Sequence, residues 1–202
     1  MKRWYVTGMR NIVLITLDSL RADHCSFMGY YRRTTPTIDL MARKGLYCEN
    51  AVSSGTDTPS SIMGIFTGEH ALTNVGSAPI EEWRREISRR QTLAQVLSRI
   101  GYTTGAIHPH VHASHYFGFD KGFKYFNDFL SQKNRFSFHA KIIEKFFQRQ
   151  KFYTTMRNLR SLLFQDEAFT SWEKFYDLLI AWVNEAKTPF FLWTFLLDTH
   201  FP

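Results

Sequence analysis

The stretch Asn11-Ile12-Val13-Leu14-Ile15-Thr16-Leu17-Asp18 decides the fold, because it is an almost unbroken apolar run closed by a carboxylate. A run this short and apolar predicts a central strand over Ile12–Leu17 that is buried on both faces. Asp18 would then lie at the carboxyl end of the strand, where open α/β sheets bind their ligands. It is a candidate metal ligand there, or it merely ends the strand and caps the next turn. On these residues alone the two interpretations are evenly balanced.

Helix and strand patterns alternate along the rest of the chain. The first helix is predicted to begin at Pro36, with Thr35 as N-cap and Gly45 as its stop, and to turn Ile38, Met41 and Ala42 to one face. Further helices are predicted over 59–66, 92–100, 141–147 and 171–186, and further strands over 46–52, 102–107 and 190–197. This alternation predicts an α/β fold, with a mostly parallel central sheet and helices on both faces.

Length and composition fit one globular domain or part of a larger one. The chain has 202 residues, of which 44% are hydrophobic and 21% charged, and its formal net charge is +7. A basic surface attracts nucleic acid, anionic lipid or a small phosphate or sulfate ester. Most of the excess positive charge lies between residues 131 and 160, which contain eight lysines and arginines and a single acidic residue, Glu144. We interpret this segment as a solvated helix pair rather than as a nucleic-acid interface.

Cysteine usage and the amino terminus bear on the compartment. Cys25 and Cys48 are the two cysteines, and they do not form a CxxC pair, which argues against a zinc finger or a disulfide scaffold. No apolar region follows the basic start Met1-Lys2-Arg3, and no apolar run is long enough to span a bilayer. The sequence therefore predicts a cytoplasmic location and no membrane span.

A hydroxyl-rich segment, Thr56-Asp57-Thr58-Pro59-Ser60-Ser61, is the second candidate for chemistry. Thr58 is predicted to be the N-cap of a helix with Pro59 in its first turn, so that the first backbone amides could hold a tetrahedral anion beside the Thr58 hydroxyl. A hydroxyl in this position can attack phosphorus or sulfur if a metal lowers its pKa. Thr-Pro is also a common capping pair without catalysis, and the local sequence alone favours that interpretation.

Histidines follow two of the predicted strands. His108, His110, His112 and His115 come directly after the strand over 102–107, and imidazoles at such a position can bind an anion or act as general acid. We assign a role to His110 and to His108, although alternating histidines could also bind a stray metal or be solvated. His200 follows the last strand and could protonate a leaving alkoxide, or be ordinary polar surface.

The ordered set of motifs resembles the sulfatases of the alkaline phosphatase superfamily. The resemblance covers most of the chain outside about residues 131–170. It is carried by Asn11 to His24, Gly29-Tyr30, Thr34 to Asp39, Thr58 to Ser61, Phe66-Thr67-Gly68, Gln91 to Ala94, Gly101 to Thr104, Gly118 to Phe123, Phe190 to Leu192 and Asp198-Thr199-His200. It implies an α/β/α sandwich, alkaline phosphatase-like, that hydrolyses or transfers sulfate or phosphate esters.

The resemblance also implies roles for particular residues. Asp18 and Thr58 would bind a divalent metal ion, which could be Ca, Mg, Mn or Zn, and Thr58 would be the nucleophile. His110 and His200 would contact the transferred group or the leaving group. Substrate-binding residues are predicted to be His108, Ser60 and Ser61.

The chain departs from the sulfatase pattern at the nucleophile. Formylglycine sulfatases carry Cys or Ser there, followed by x-Pro-x-Arg, whereas this chain has Thr58 and no such Arg. Aligning on Pro59 would place Asp57 at this position, and Ser60 is a further alternative. A Thr alkoxide without a formylglycine Cys is therefore expected. Ser19 stands where many sulfatases have a second Asp ligand.

The resemblance also implies that more polypeptide is needed. The family takes further metal ligands from an Asp-His or Asp-Asn motif that would lie downstream of Pro202. Residues 1–202 are therefore expected to be the N-terminal part of a single sulfatase-like catalytic domain, with a basic helical insertion at 131–170. The expected partners are a small anionic ester and a C-terminal half or second subunit. The alternative is an inactive, truncated module that binds anionic partners through the basic segment.

Overall fold

A parallel β-sheet organises the protein, whose computed structural model describes residues 8–70, 78–130 and 172–199. Its strands are β1 (Ile12–Leu17), β2 (Thr103–Ile107), β3 (Tyr125–Asn127) and β4 (Phe190–Leu196). The strand order is β1-β4-β2-β3, and each neighbouring pair runs parallel. The α/β class and the mostly parallel sheet predicted from the sequence are thereby confirmed.

Five α-helices connect and cover the described strands. They are α1 (Pro36–Lys44), α2 (Thr58–Thr67), α3 (Ile80–Arg89), α4 (Leu93–Arg99) and α5 (Glu173–Glu185). Helix α4 begins with a capping box, in which the Thr92 hydroxyl accepts from the Gln95 amide and the Gln95 side chain accepts from the Thr92 amide. Gly101 follows the helix with φ of 100°, a left-handed conformation that favours glycine at the C′ position. The helix predicted over 141–147 and the insertion at 131–170 lie outside the described residues.

Aromatic side chains fill the layers on both faces of the sheet. On one face Phe191, Trp193 and Phe195 of β4 pack with α2, α3 and α4, and the Phe66 and Trp193 rings lie 4.6 Å apart. On the other face Phe190 and Leu192 pack against α5. Because adjacent residues of a strand point to opposite faces, one apolar strand supplies both layers. Helices therefore cover both faces, as predicted.

Helix α5 approaches the sheet closely at Gly105 in β2. A Cβ atom built on Gly105 would lie 2.3 Å from Trp182 Cζ2. No side chain larger than hydrogen fits there without displacing the indole. This contact fixes the height of α5 above the sheet.

The first strand is exposed, which corrects the prediction that it is central and buried on both faces. In the described sheet β1 pairs only with β4 and forms an edge. Val13 and Ile15 are 51% and 50% exposed, although both are apolar. The apolar composition of β1 correctly predicts a strand. It does not show whether a second strand pairs with its other side or whether a helix covers its face.

One further prediction about the segment after β1 is wrong. Residues 46–52 form no strand, and Leu46 and Val52 are almost fully exposed, because the segment finds no partner strand among the described residues. Helix α1 forms as predicted, but Met41 on its apolar face is exposed. Asp39 is instead its buried residue, and it accepts hydrogen bonds from the Ser26 and Thr35 hydroxyls.

An ion pair between the partly buried His115 and the buried Asp128 holds the loop that follows β2 onto the end of β3. The His115 ring donates from Nδ1 to Asp128 Oδ2, and the His115 amide donates to the same oxygen over 3.0 Å. The hydrogen bond to Asp128 raises the pKa of His115, against the effect of burial and of nearby Arg84. Burial alone would raise the pKa of Asp128, but the hydrogen bonds from His115 outweigh it and lower that pKa.

No helix in the described ranges is long and apolar enough to cross a membrane. The cytoplasmic location remains a prediction from the sequence.

We expect alternate backbone amides of β1 to exchange with solvent at different rates. The Asp18 amide donates to Leu196 O, so the amides of Leu14 and Thr16 point towards β4, whereas those of Val13 and Ile15 point to the open edge. Hydrogen exchange followed by NMR should show the second pair exchanging at least about tenfold faster than the first. Equal protection of all four amides in the monomeric chain would contradict an open edge.

The pair of His115 and Asp128 should give a pH-dependent contribution to stability. The raised pKa of His115 stabilises the fold below its unfolded pKa, and this stabilisation is lost as pH rises through the folded pKa. The lowered pKa of Asp128 stabilises the fold above its unfolded pKa, and this is lost as pH falls through the folded value. Urea unfolding of His115→Gln should therefore show a loss of about 2 kcal/mol between about pH 4 and 6.5, shrinking on both sides.

His24→Gln is the matched control, because His24 Nδ1 also lies 3.0 Å from a carboxylate, that of Asp23, but both side chains are well exposed. Its removal should change the free energy of unfolding by less than about 0.5 kcal/mol. A loss for His115→Gln that stays constant from pH 3 to 9 would contradict the ion pair.

Candidate functional site

The carboxyl ends of three adjacent strands bring together the segments that carry the predicted site residues. Asp18 follows β1, His108 and His110 follow β2, and Thr199 follows β4, which lies between the other two strands. The Thr199 hydroxyl donates a hydrogen bond to the carbonyl of Asp18. The parallel sheet therefore places these segments at one edge, as the strand-end positions predicted.

Asp18 and His110 are in direct contact. The Asp18 carboxylate accepts a hydrogen bond at Oδ2 from His110 Nε2 over 3.0 Å, and the two side chains are 15% and 7% exposed. Ser19, directly after Asp18, has φ of 59°, which is uncommon for a residue with a side chain. The chain thus turns sharply away from the strand and leaves the carboxylate at the edge of the sheet.

The hydrogen bonds of His110 define its tautomer. Its Nδ1 accepts from the amide of His112 over 3.1 Å, so the proton of the neutral ring is on Nε2 and points to Asp18. One face of the ring stacks on Phe195, with centroids 4.6 Å apart. Phe195 was not among the predicted site residues, although its position near the end of β4 could have indicated it.

His108 occupies a different environment from His110. Its ring is fully buried, with its centroid 4.4 Å from that of Trp193 and 5.4 Å from that of Phe126. Burial lowers the pKa of His108 to about 3, so the ring is neutral near pH 7. Contact with a substrate would require this ring to leave its aromatic pocket, so the position does not favour the predicted substrate-binding role.

The start of helix α2 differs from the prediction. Asp57, not Thr58, is the N-cap, and its Oδ1 accepts from the Ser60 amide over 2.9 Å. Thr58 is the first helical residue. The cap side chain of Asp57 satisfies an amide that we had expected to hold an anion, and it places a carboxylate there. The sequence Thr-Asp-Thr-Pro offers two possible caps, because both Asp57 and Thr58 can accept from an amide of the first turn.

The hydroxyls of Ser60 and Ser61 are engaged within the same loop. Ser60 Oγ donates to the Asp57 carbonyl over 3.0 Å, and Ser61 Oγ donates to the Gly55 carbonyl over 3.1 Å. A hydroxyl has a single proton to donate. Either serine would have to give up its loop contact in order to donate to a substrate, and their substrate-binding role stays a prediction.

Thr58 and His200 are placed less directly. Helix α2 packs against the turn Val111–Ala113, which directly follows His110. The hydroxyl of Thr58 makes no hydrogen bond to any residue in the described ranges. His200 lies outside those ranges, although its neighbour Thr199 contacts Asp18.

The described residues do not complete a metal site. No group of three or more His, Cys, Asp or Glu side chains converges within residues 8–70, 78–130 and 172–199. His110 Nε2 donates to Asp18 in the tautomer that its hydrogen bonds indicate. Asp18 alone is too few ligands for a divalent ion, which takes four or more.

Known proteins resemble the chain over part of their own length. It is 33% identical over 99 residues to an arylsulfatase from Clostridium perfringens, a match that covers 48% of this chain and 20% of that protein. The chain therefore spans about a fifth of this curated relative.

Two solved structures share the fold. A protein in the alkaline phosphatase superfamily from Vibrio parahaemolyticus superposes with a TM-score of 0.62 at 17% identity, covering 96% of this chain and 43% of that one. The C-terminal periplasmic domain of EcEptC from Escherichia coli, solved in complex with Zn, gives 0.57 at 16% identity, covering 96% and 45%. These likenesses confirm the alkaline phosphatase-like fold expected from the motifs.

The family model for sulfatases, finally, matches residues 10–202. This range includes every candidate site residue, and the chain accordingly belongs to the sulfatase family.

Proposed function

We propose that the protein takes part in metal-dependent hydrolysis of sulfuric or phosphoric esters. The supporting observation is the hydrogen bond between Asp18 and His110, which joins the carboxyl ends of β1 and β2. Parallel sheets bind their ligands at the carboxyl ends of their strands. Membership of the sulfatase family and the likeness to an arylsulfatase support the same reaction class. The substrate would be a small anionic ester.

Thr58 is the proposed nucleophile. After its hydroxyl proton passes to water, the Thr58 oxygen would form a bond to sulfur or phosphorus while the bond to the ester oxygen breaks. The departing alkoxide would take a proton from His200. Water would then cleave the Thr58 ester and release sulfate or phosphate. His110, held by Asp18, would contact the transferred group. Support for Thr58 is the packing of α2 against the turn that follows His110, while Asp57 and Ser60 remain the alternatives.

Metal dependence belongs to the proposal as well. The EcEptC domain was solved in complex with Zn, and Asp18 is a carboxylate of the kind that binds divalent ions. Because the described residues supply too few ligands, further donors are needed from outside those residues. We propose a C-terminal half or second subunit as their source.

The exposed side of β1 supports such a partner. Parallel sheets are normally covered on both faces, yet Val13 and Ile15 are half exposed. Tyr176 and Ile180 of α5 are also exposed. They lie on the flank of that helix opposite Trp182, which covers Gly105 in β2. Apolar side chains are thus exposed both on β1 and on α5.

The proposal predicts distinct effects of substitutions near the helix start. The gene product should be assayed against aryl sulfate, phosphodiester and phosphonate esters, with and without Mn²⁺, Zn²⁺, Mg²⁺ or Ca²⁺. Thr58→Ala should lower kcat at least about a thousandfold, and Thr58→Ser, which retains a hydroxyl, should keep part of the activity. His110→Gln should lower kcat by roughly a hundredfold.

The alternatives give different outcomes in the same assay. Full activity of Thr58→Ala would show that Thr58 is not the nucleophile. Loss of activity in Asp57→Asn or in Ser60→Ala would then identify Asp57 or Ser60, respectively, as the nucleophile. Circular dichroism separates chemistry from folding, because Asp57→Asn retains a good N-cap and should leave the helix content unchanged. A gene product with no activity on any of these esters in the presence of any of the metals would contradict the proposal and favour an inactive module.

A further inference from the structure

The alternation of His108, His110 and His112 has a structural explanation in the loop after β2. Nδ1 of His108 accepts a hydrogen bond from the amide of His110 over 3.3 Å, and Nδ1 of His110 accepts from the amide of His112 over 3.1 Å. Each ring thus binds the backbone two residues further on, in the manner of an Asx turn. The spacing of two residues between these histidines therefore matches the repeated hydrogen bond from ring to backbone. It does not bring the rings together around an ion.

The first ring of this series is fixed by its surroundings. His108 is fully buried between Trp193 and Phe126. Its Nδ1 is the acceptor, so Nε2 carries the proton, and that nitrogen has no partner among the described residues. A buried N–H without a partner costs free energy, and a hydrocarbon ring would avoid this cost. Packing alone therefore does not account for a histidine at this position.

The second ring depends on the first through the backbone. His110 must present Nε2–H to Asp18 while one face stacks on Phe195. The side chain can meet both partners only if its backbone is held in place. The described contact that holds the His110 amide is the hydrogen bond to His108 Nδ1.

We propose that His108 is a positioning residue, whose buried Nδ1 holds the backbone of His110 so that the His110 ring stays aligned with Asp18. The inference concerns the site of the proposed function, but it does not require ester hydrolysis. Its test observes the His110 ring directly, so that failure of the inference and failure of the proposed function can be distinguished.

Two substitutions separate the acceptor from the aromatic ring. His108→Asn retains an acceptor, because Oδ1 of Asn corresponds to Nδ1 of His, but it removes the ring from the pocket. His108→Phe retains a ring in the pocket but has no acceptor. If His108 positions His110, the variant that keeps the acceptor should preserve the His110 ring. If His108 only packs, the variant that keeps the aromatic ring should preserve it.

The measurement is ¹H–¹⁵N NMR of the His110 imidazole in the 202-residue chain, with urea unfolding of each variant alongside. In the wild type and in His108→Asn, His110 should be the Nε2–H tautomer with a slowly exchanging proton. In His108→Phe, that proton should exchange about fivefold faster or more, as expected for the loss of one hydrogen bond. His108→Asn should be the less stable of the two variants because it leaves a cavity.

Unchanged exchange of the His110 proton in His108→Phe would overturn the proposal. Faster exchange in His108→Asn but not in His108→Phe would overturn it too, and would assign His108 a packing role. If His108→Phe does not fold, wild-type protein gives an independent result. The proposal requires His108 itself to be the Nε2–H tautomer, and an Nδ1–H tautomer in the wild-type spectrum would refute it.

Discussion

The hydrogen bond from His110 Nε2 to Asp18 Oδ2 joins two strands that are not neighbours in the sheet. Strand β4 lies between β1 and β2, so this contact forms only when all three strands are in register. Both side chains are largely removed from solvent, which makes the loss of either partner costly. The turn at Ser19, the Phe195 stack and the amides of the histidine loop all serve to orient these two groups. The candidate site is thus a consequence of strand order.

Strand order itself depends on β4. This strand is apolar throughout, and it pairs with β1 on one side and β2 on the other. Its side chains fill the layers on both faces, with Trp193 below α2 and α4 and Leu192 below α5. Because β4 is the last of the described strands, the site can form only after the chain has closed contacts over more than 170 residues, such as Thr16 with Thr194. Such non-local pairing is slow to form, which makes the apolar edge of β1 a risk for aggregation.

Much of this arrangement could be predicted from the sequence. Short apolar runs ending in Asp18, His108 and Asp198 identified three strands and their functional ends, because buried parallel strands have a distinctive composition. The Thr35 cap of α1 and the glycine after that helix could also be predicted, since their chemistry is local. Non-local information was missing: the sequence did not show that β1 lies at an edge, or that residues 46–52 would have no partner. Strand β3 is too short, at three residues, to leave a pattern, and the strongly charged α3 lacks one of the usual N-cap residues, since Pro79 precedes it.

The double-mutant cycle of Asp18→Asn and His110→Gln tests the central contact most directly. The free energy of unfolding of the wild type, both single variants and the double variant gives the coupling between the two side chains without reference to any substrate. If the hydrogen bond across β4 exists as described, the coupling should be about 1–2 kcal/mol, and the double variant should lose less stability than the sum of the single variants. A coupling within about 0.3 kcal/mol of zero would show that the two side chains act independently, and it would contradict this account of the site.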